Sequence, residues 1–300
     1  MQALDAKIDP KAIIFANVFF AASNSIFFKL STVPPMVFVS TRFFLCTLVF
    51  FGVLLIRKAV WNKPMFEISG RRFISLFLIG FVFSFGAYMY FIALKETALS
   101  SVLILNSSNA IIVAVLSFFL LKERITSKGA LAIVIAFAGC IIVALTKTNG
   151  LENSLLGNLC ALACAACCAT YMVYMKKFTD INVPMKLFAV YAGSFAFAFA
   201  VAIIQGNSFT AFENGQPYPV EEYLWILGSA ALSVCISQGI INWALKYVKA
   251  SFAASVSLLE PIVGAFYGYL IWAEGITINH IIGGALVIGG LYLYNRSENR

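Results

Sequence analysis

Apolar residues run through this chain in long unbroken blocks, and polar residues fall mostly between the blocks. An α-helix needs a run of about 17 to 25 apolar residues to cross the hydrocarbon of a bilayer. Runs of that length occur at Lys11–Leu30, Met36–Ile56, Phe73–Leu94, Ala98–Leu121, Lys128–Thr146, Ser154–Met175, Met185–Gln205, Glu222–Leu245, Ala250–Ala273 and Ile278–Tyr294. The strands of a membrane barrel would alternate apolar and polar residues, so continuous runs predict helices. The expected fold class is an all-α membrane protein with ten transmembrane helices.

The blocks also repeat. Ala93–Thr126, ALKETALSSVLILNSSNAIIVAVLSFFLLKERIT, falls on Ala244–Thr277, ALKYVKASFAASVSLLEPIVGAFYGYLIWAEGIT, without a gap at an offset of 151 positions. Ala93-Leu94-Lys95 meets Ala244-Leu245-Lys246, Ser100 meets Ser251, Ile111 meets Ile262, and Glu123 meets Glu274. Ile125-Thr126 falls on Ile276-Thr277, and beyond the stretch Gly139 falls on Gly290. One register holding over that distance predicts a tandem duplication. Its boundary falls near Thr148–Asn153, giving units 1–148 and 149–300 with five spans each. An odd number of spans turns the second unit over, so the expectation is two inverted five-helix repeats. Secondary transporters are commonly built in this way, with the site near the midplane where the repeats meet. The register sets Asn109 opposite Glu260.

Composition agrees with the pattern. The 300 residues are 61% hydrophobic and 11% charged, with a mean hydropathy of +0.92, too little polar material to cover a water-facing surface. The first residues, MQALDAKIDPKAIIFANVFF, place acids before the first apolar run with no small-residue cleavage site after it, which predicts an uncleaved first helix. A net charge of +8 raises the question of a nucleic-acid or anionic partner. All but Lys29, Arg42, Lys95 and Lys147 of the 21 lysines and arginines fall on the side that holds both termini. Basic residues gather on the cytoplasmic side, so both termini are expected there, and no nucleic-acid partner is needed to explain the charge.

Pro35 and Met36 after a short outer loop, followed by Arg42 in the next span, resemble the proline-to-arginine signature of the drug/metabolite transporter superfamily, EamA type. The segment YFIALKETALSSVLILNSSNAIIVAVLSFFLLKERIT is similar to that family's third and fourth helices, and SLLEPIVGAFYGYLIWAEGIT to its ninth. The resemblance covers nearly the whole chain as two five-helix halves. Its motifs are loose hydrophobic patterns, specific for the superfamily and poor for substrate. The resemblance implies that helices of both halves line a central cavity. In one departure, Asn109-Ala110 stands where the family often has a proline in the fourth helix, so the residue that would kink it is missing.

Candidate chemistry comes from polar residues at membrane depth. Glu260 is about ten residues into its span, roughly 15 Å deep, where a carboxylate must face protein or water. Helical spacing places Ser257, Glu260, Pro261, Gly264 and Gly268 on one face. Pro261 is expected to free a backbone carbonyl toward the cavity. Glu260 is read as a substrate-amine partner, a proton acceptor, or a hydrogen-bonded packing residue. Asn106 and Asn109 share a face of the fourth span, Gln238 and Asn242 sit one turn apart beside Ser237, and Asn17 and Asn24 lie on a common stripe of the first. Each pair fits a cavity wall or interhelical hydrogen bonding. Arg42, about 9 Å inside the outer end of its span, either snorkels or pairs structurally, or else points inward toward a carboxylate or phosphate. Tyr88, Tyr90, Tyr171 and Tyr174 are further candidates for the cavity wall.

Cys160, Cys164, Cys167 and Cys168 sit among alanines in the sixth span and read as small packing residues rather than a metal site. The sole histidine, His280, stands at an outer helix end, and no H-E-x-x-H, phosphate-loop or G-x-S-x-G pattern occurs. Neither a catalytic residue, a metal nor a cofactor is expected. The sequence reading is a secondary transporter of small polar metabolites, amino acids or amine-bearing compounds, rocking its halves around a midplane cavity in a bacterial inner (plasma) membrane. Its expected partners are a small-molecule substrate and the lipid bilayer, with the chain acting as a monomer or homodimer. The alternatives are a nucleotide-sugar or sugar-phosphate carrier, which inward-facing Arg42, Lys29 or Lys95 would favour, and more remotely a membrane-embedded enzyme or channel. The glycines of the last span, Gly283, Gly284, Gly289 and Gly290, serve either self-association or packing within the chain.

Overall fold

The computed structural model describes residues 9–62, 64, 68–96, 99–123, 126–144, 154–211, 215–272 and 278–298. Local chemistry sets where the helices begin. The Asp9 side chain accepts from Lys11 N at 2.9 Å, and Pro10 opens α1 (Pro10–Leu30). Pro35 opens α2 (Pro35–Trp61), which stops at the left-handed residue Asn62, φ 48°. After α3 (Gly70–Glu96) the fourth expected span is split into α4 (Leu99–Ser107) and α5 (Asn109–Leu116), the latter continued by a π-helical turn over Ser117–Leu121. Next come α6 (Ser127–Ala144), α7 (Leu155–Lys177, capped by Ser154) and α8 (Val183–Ile204, capped by Asn182). The eighth expected span is α9 (Val220–Gly228), a π-helical stretch over Ser229–Ile236, and α10 (Ser237–Ala244). The ninth is α11 (Ala250–Val256), a 3₁₀ turn over Ser257–Leu259 and α12 (Glu260–Trp272), and α13 (Ile278–Glu298) follows.

The protein is an all-helical membrane protein; among the described residues the extended backbone amounts to one isolated bridge between Ala211 and Pro217. Among the described residues, seven of the ten expected spans are long and apolar enough to cross a membrane: Pro10–Leu30, Pro35–Trp61, Gly70–Glu96, Leu155–Lys177, Val183–Ile204, Val220–Ala244 and Ala250–Ile271. Shorter apolar helices, Leu105–Leu121, Ser127–Gly139 and Ile281–Tyr294, stand at the fourth, fifth and tenth positions. The expected repeat boundary at 148–153 and Glu274 lie outside the described residues, as does the side chain of His280.

The fourth span breaks although it has no proline. Ser108 N and Ser108 Oγ both donate to Leu105 O, at 3.2 and 2.6 Å, and the helix resumes on Ser108 O, which accepts from Ile111 N and Ile112 N. The hydroxyl offers the backbone a local alternative to the regular ladder. In the ninth span Pro261 has no N–H for the carbonyl four residues back. The expected free carbonyl does not result, because the preceding turn tightens and Ser257 O accepts from Glu260 N instead. Asn109 and Glu260 are thus the first residues of the helices that restart after the two breaks.

Packing brings elements from both ends of the chain together. α3 lies in contact with α7 and α8, α2 also packs on α8, and the eighth span packs on α1. α11 packs on α5 and α12 on α4, so the fourth and ninth spans lie side by side and antiparallel. α3 and α8 approach so closely that a Cβ at Gly80 would overlap Val190 O and one at Gly193 would overlap Phe77 O. Ser194 Oγ seals that contact by donating to Gly80 O at 2.9 Å. α6 packs along α13, where a Cβ at Gly290 would come 2.8 Å from Ala132 O and one at Gly139 2.6 Å from Gly283 O. Gly283 and Gly290 therefore serve packing within the chain.

Two buried or half-buried carboxylates tie the ends of the bundle. Glu222, in the first turn of α9 and 5% exposed, accepts from Ser31 Oγ at 2.7 Å, Thr32 N at 2.9 Å and Thr32 Oγ1 at 2.6 Å. Glu123 caps α11, accepting from Ala250 N at 3.1 Å and Ser251 Oγ at 3.2 Å, while Tyr294 O–H donates to Ser251 Oγ at 3.0 Å. Lys176 Nζ donates at 2.6 Å to both Leu245 O and Val248 O, the open carbonyls that follow α10.

Two predictions follow from this packing. Gly193→Leu should drive a side chain into the α3 backbone and destabilise the protein by about 1–3 kcal/mol or prevent folding; detergent-solubilised yield and apparent melting temperature measure it, and a native-like melt would show that the two helices can part freely. Glu222→Ala should remove three hydrogen bonds to a charged acceptor and lower stability by about 3 kcal/mol, with the same melt as the readout.

Candidate functional site

A cavity of about 180 Å³ opens between α1, α2, α3, the fourth span, α7, the eighth span and the ninth span. Pockets that hold drug-sized ligands run to about 300–1,000 Å³, so this one suits a small solute. Of the polar residues singled out from sequence, Glu260, Asn106, Asn109, Gln238, Asn24, Ser257, Tyr171 and Arg42 all line it, together with Asn17. Tyr88 does not; its hydroxyl accepts from Gln205 Nε2 at 3.1 Å at the exposed end of α8. Asn242 stands one layer behind the wall, donating through Nδ2 to Tyr171 Oη at 3.0 Å and to Gln238 O at 2.9 Å. Tyr174 packs on Phe178 instead, with ring centroids 5.2 Å apart.

The broken helices place the polar wall. Asn106 and Asn109 flank the interruption at Ser108, and Ser257 and Glu260 flank the tight turn of the ninth span. Irregular backbone at membrane depth is tolerated where it borders a cavity, and both interruptions do. Glu260 is half-buried, and among the described residues its carboxylate makes no hydrogen bond or ion pair. The amide oxygens of Asn17, Asn106, Asn109 and Gln238 are buried with no partner. Buried polar atoms are normally paired, and these four unpaired acceptors all belong to residues that line the cavity. Gly264 lets α12 come close to α4, where a Cβ would lie 3.3 Å from Leu103 Cδ1.

Arg42 does not snorkel. It is 3% exposed, and Nη1 donates to Asn24 Oδ1 at 2.9 Å and to Ser229 Oγ at 3.4 Å. Its guanidinium lies 4.8 Å from the ring centroids of both Phe28 and Phe43. Among the described residues it has no carboxylate partner, and its Nε has no acceptor. Lys29 and Lys95 do not line the cavity, and the Lys95 ammonium lies 5.1 Å from the Phe91 ring. The lining therefore holds one guanidinium and one carboxylate, not paired with each other.

Several lining residues had no signal of their own in the sequence. Cys164, Cys168 and Met172 form a stripe of α7 at helical spacing, with the two thiols 3.8 Å apart, and Tyr171 beside them stacks on Phe83 at 4.3 Å. Cys167, by contrast, packs against Gly86 of α3, where an added Cβ would come 2.7 Å from its own. Ser25 and Ser233 complete the wall with Tyr90, which was expected there from sequence. The alternation of polar residues with alanine on α1, at Asn17, Ala21, Ala22, Asn24 and Ser25, was the available clue.

The profile of the EamA-like transporter family matches residues 11–145 and, separately, residues 155–296. The Uncharacterized transporter YoaV of Bacillus subtilis (strain 168) is 24% identical over 269 residues, 87% of each chain. An Uncharacterized transporter of Archaeoglobus fulgidus is 23% identical over 284 residues, 92% of this chain and 94% of its own. The Probable amino-acid metabolite efflux pump of Escherichia coli (strain K12) is 23% identical over 190 residues, 62% of this chain and 64% of its own. A crystal structure of a protein shares the fold with a TM-score of 0.75 at 18% identity, covering 95% of both chains. The names of these relatives indicate a transporter rather than an enzyme. With helices fit to cross a membrane around a cavity that polar side chains help to line, and a profile matched twice along its length, the chain belongs to the EamA-like transporter family.

Proposed function

We propose that the protein is a secondary transporter that carries small polar metabolites, amino acids or amine-bearing compounds, by alternating access around the central cavity. The observation that carries this reading is Glu260, whose carboxylate at the start of α12 has no partner among the described residues and which lines a cavity together with Asn17, Asn106, Asn109 and Gln238. Carboxylates are rare in spanning helices and face solvent-filled or ligand sites when they occur. An ammonium group would pair with the carboxylate and donate to neighbouring amide oxygens. The relative from Escherichia coli named as an amino-acid metabolite efflux pump supports the same class of solute.

Alternating access rests on the arrangement of the spans. Ten spans in two units, 1–148 and 149–300, inserted in opposite senses, would supply two related packings, one open to each side. Support comes from the family profile matching twice, from the antiparallel packing of the fourth and ninth spans, and from their breaks at Asn109 and Glu260, which are 151 positions apart. The distribution of lysine and arginine supports cytoplasmic termini in a bacterial inner membrane.

A carrier of nucleotide sugars or sugar phosphates is the second reading, favoured by the inward position of Arg42. It fits less well, since Glu260 repels an anion in the same cavity and the volume is small for a nucleotide.

Purified protein in liposomes should show saturable uptake of amino acids or amines, stimulated by counterflow, and Glu260→Gln should reduce it to the background of empty vesicles. Undiminished uptake by Glu260→Gln would remove this residue from the mechanism, and the absence of counterflow for the whole panel would remove the carrier reading. Cysteine labelling should find residues at both termini accessible from the cytoplasmic side only.

A further inference from the structure

We infer that the cavity is bipolar and selects zwitterions, with Arg42 taking the anionic group of the substrate and Glu260 the cationic group. The inference rests on the transport reading above and narrows its substrate class.

Arg42 is held where a purely structural arginine would not be left. A buried guanidinium is expensive unless it meets a counter-charge, and a snorkelling one escapes to the membrane surface. Arg42 does neither: it is 3% exposed, its hydrogen-bond acceptors are the neutral Asn24 and Ser229, and its guanidinium carbon lies 4.8 Å from the ring centroids of Phe28 and Phe43. The aromatic contacts offset part of the cost of burial and hold the group in place without neutralising it. With Nη1 occupied by Asn24 and Ser229, Nη2 makes no hydrogen bond among the described residues, and the side chain lines the cavity. A planar guanidinium with open donors, fixed before the ligand arrives, is a carboxylate receptor.

Glu260 supplies the opposite sign from the ninth span, with the unpaired amide oxygens of Asn106 and Asn109 on the same cavity. A simple amine would pair with Glu260 and leave Arg42 uncompensated beside a second cation. A simple anion would do the reverse. A molecule with both charges satisfies both groups at once and adds no net charge to the occupied cavity, so the electrostatic penalty of burying it is smallest. The volume, below that of drug-sized pockets, limits the choice to small zwitterions.

The test uses full-length protein with matched sets: alanine, leucine and phenylalanine, each beside its decarboxylated amine and its N-acetyl acid. Ligand-induced thermal stabilisation in detergent and inhibition of counterflow in liposomes are the readouts. The amino acids should bind about tenfold or more tightly than either analogue, the difference expected when one charged hydrogen-bonding partner is lost. Arg42→Gln should erase the preference for an amino acid over its amine, and Glu260→Gln the preference over its N-acetyl acid. Should Arg42→Gln fail to fold, the comparison of the three ligand types on the native protein decides alone. Equal binding of amine and amino acid by the native protein, or a preference that survives Arg42→Gln, overturns the inference while leaving amine transport intact. Binding of none of the nine compounds overturns both this inference and the transport reading on which it rests.

Discussion

A polar group in hydrocarbon has no water to satisfy it, and this single penalty sorts the chain. Large apolar side chains are turned outward, where in a soluble protein they would be buried: Ile204 is 83% exposed and Phe119 71%. Arg42, Asn109, Asn242 and Lys186 are turned inward and buried. Each inward polar residue needs a partner or a cavity, and that requirement explains most of the interior. Lys186 Nζ donates to Met175 O, Asn242 bridges Tyr171 and Gln238, and Ser23 pairs with Ser233 across α1 and the eighth span. Glu260 and the unpaired amides of Asn17, Asn106, Asn109 and Gln238 border the cavity, while Ser84 Oγ, Ser117 Oγ, Tyr191 Oη and Asn242 Oδ1 are buried without a partner away from it.

The same penalty governs where a helix can break. Ser108, the 3₁₀ turn before Glu260 and the π-helical stretch in the eighth span depart from the regular ladder, and residues at or beside each of them line the cavity. The departures also repair themselves locally: Ser108 Oγ donates to Leu105 O, Ser257 Oγ to Ala254 O, and Glu260 N to Ser257 O.

This explains what could be read from the sequence. The spans were legible because composition over about twenty residues is a strong signal that neighbouring contacts do not alter. Glu260, Asn106 and Asn109 were legible as cavity residues because polarity at mid-span depth leaves few other places to go. Tyr88 and Asn242 were misplaced on the wall because a tyrosine near a span end, or an amide one turn from Gln238, is as polar when it faces a neighbour as when it faces a cavity. Arg42 could not be decided, since snorkelling and burial place the same residue at the same sequence position; the faces of Phe28 and Phe43 settle it. The freed carbonyl at Pro261 failed because the rule assumes regular α-geometry upstream, whereas the turn there had already tightened.

The two end clamps run across the midpoint of the chain. Glu222 fastens the loop after α1 to the start of α9, and Glu123 fastens the end of the fourth span to the start of α11. A motion that kept residues 1–148 and 149–300 as separate rigid bodies would have to tear the fastening at whichever end opened. While the clamps hold, α1 travels with α9 and the end of the fourth span with α11, so a moving block joins pieces from the two ends of the chain.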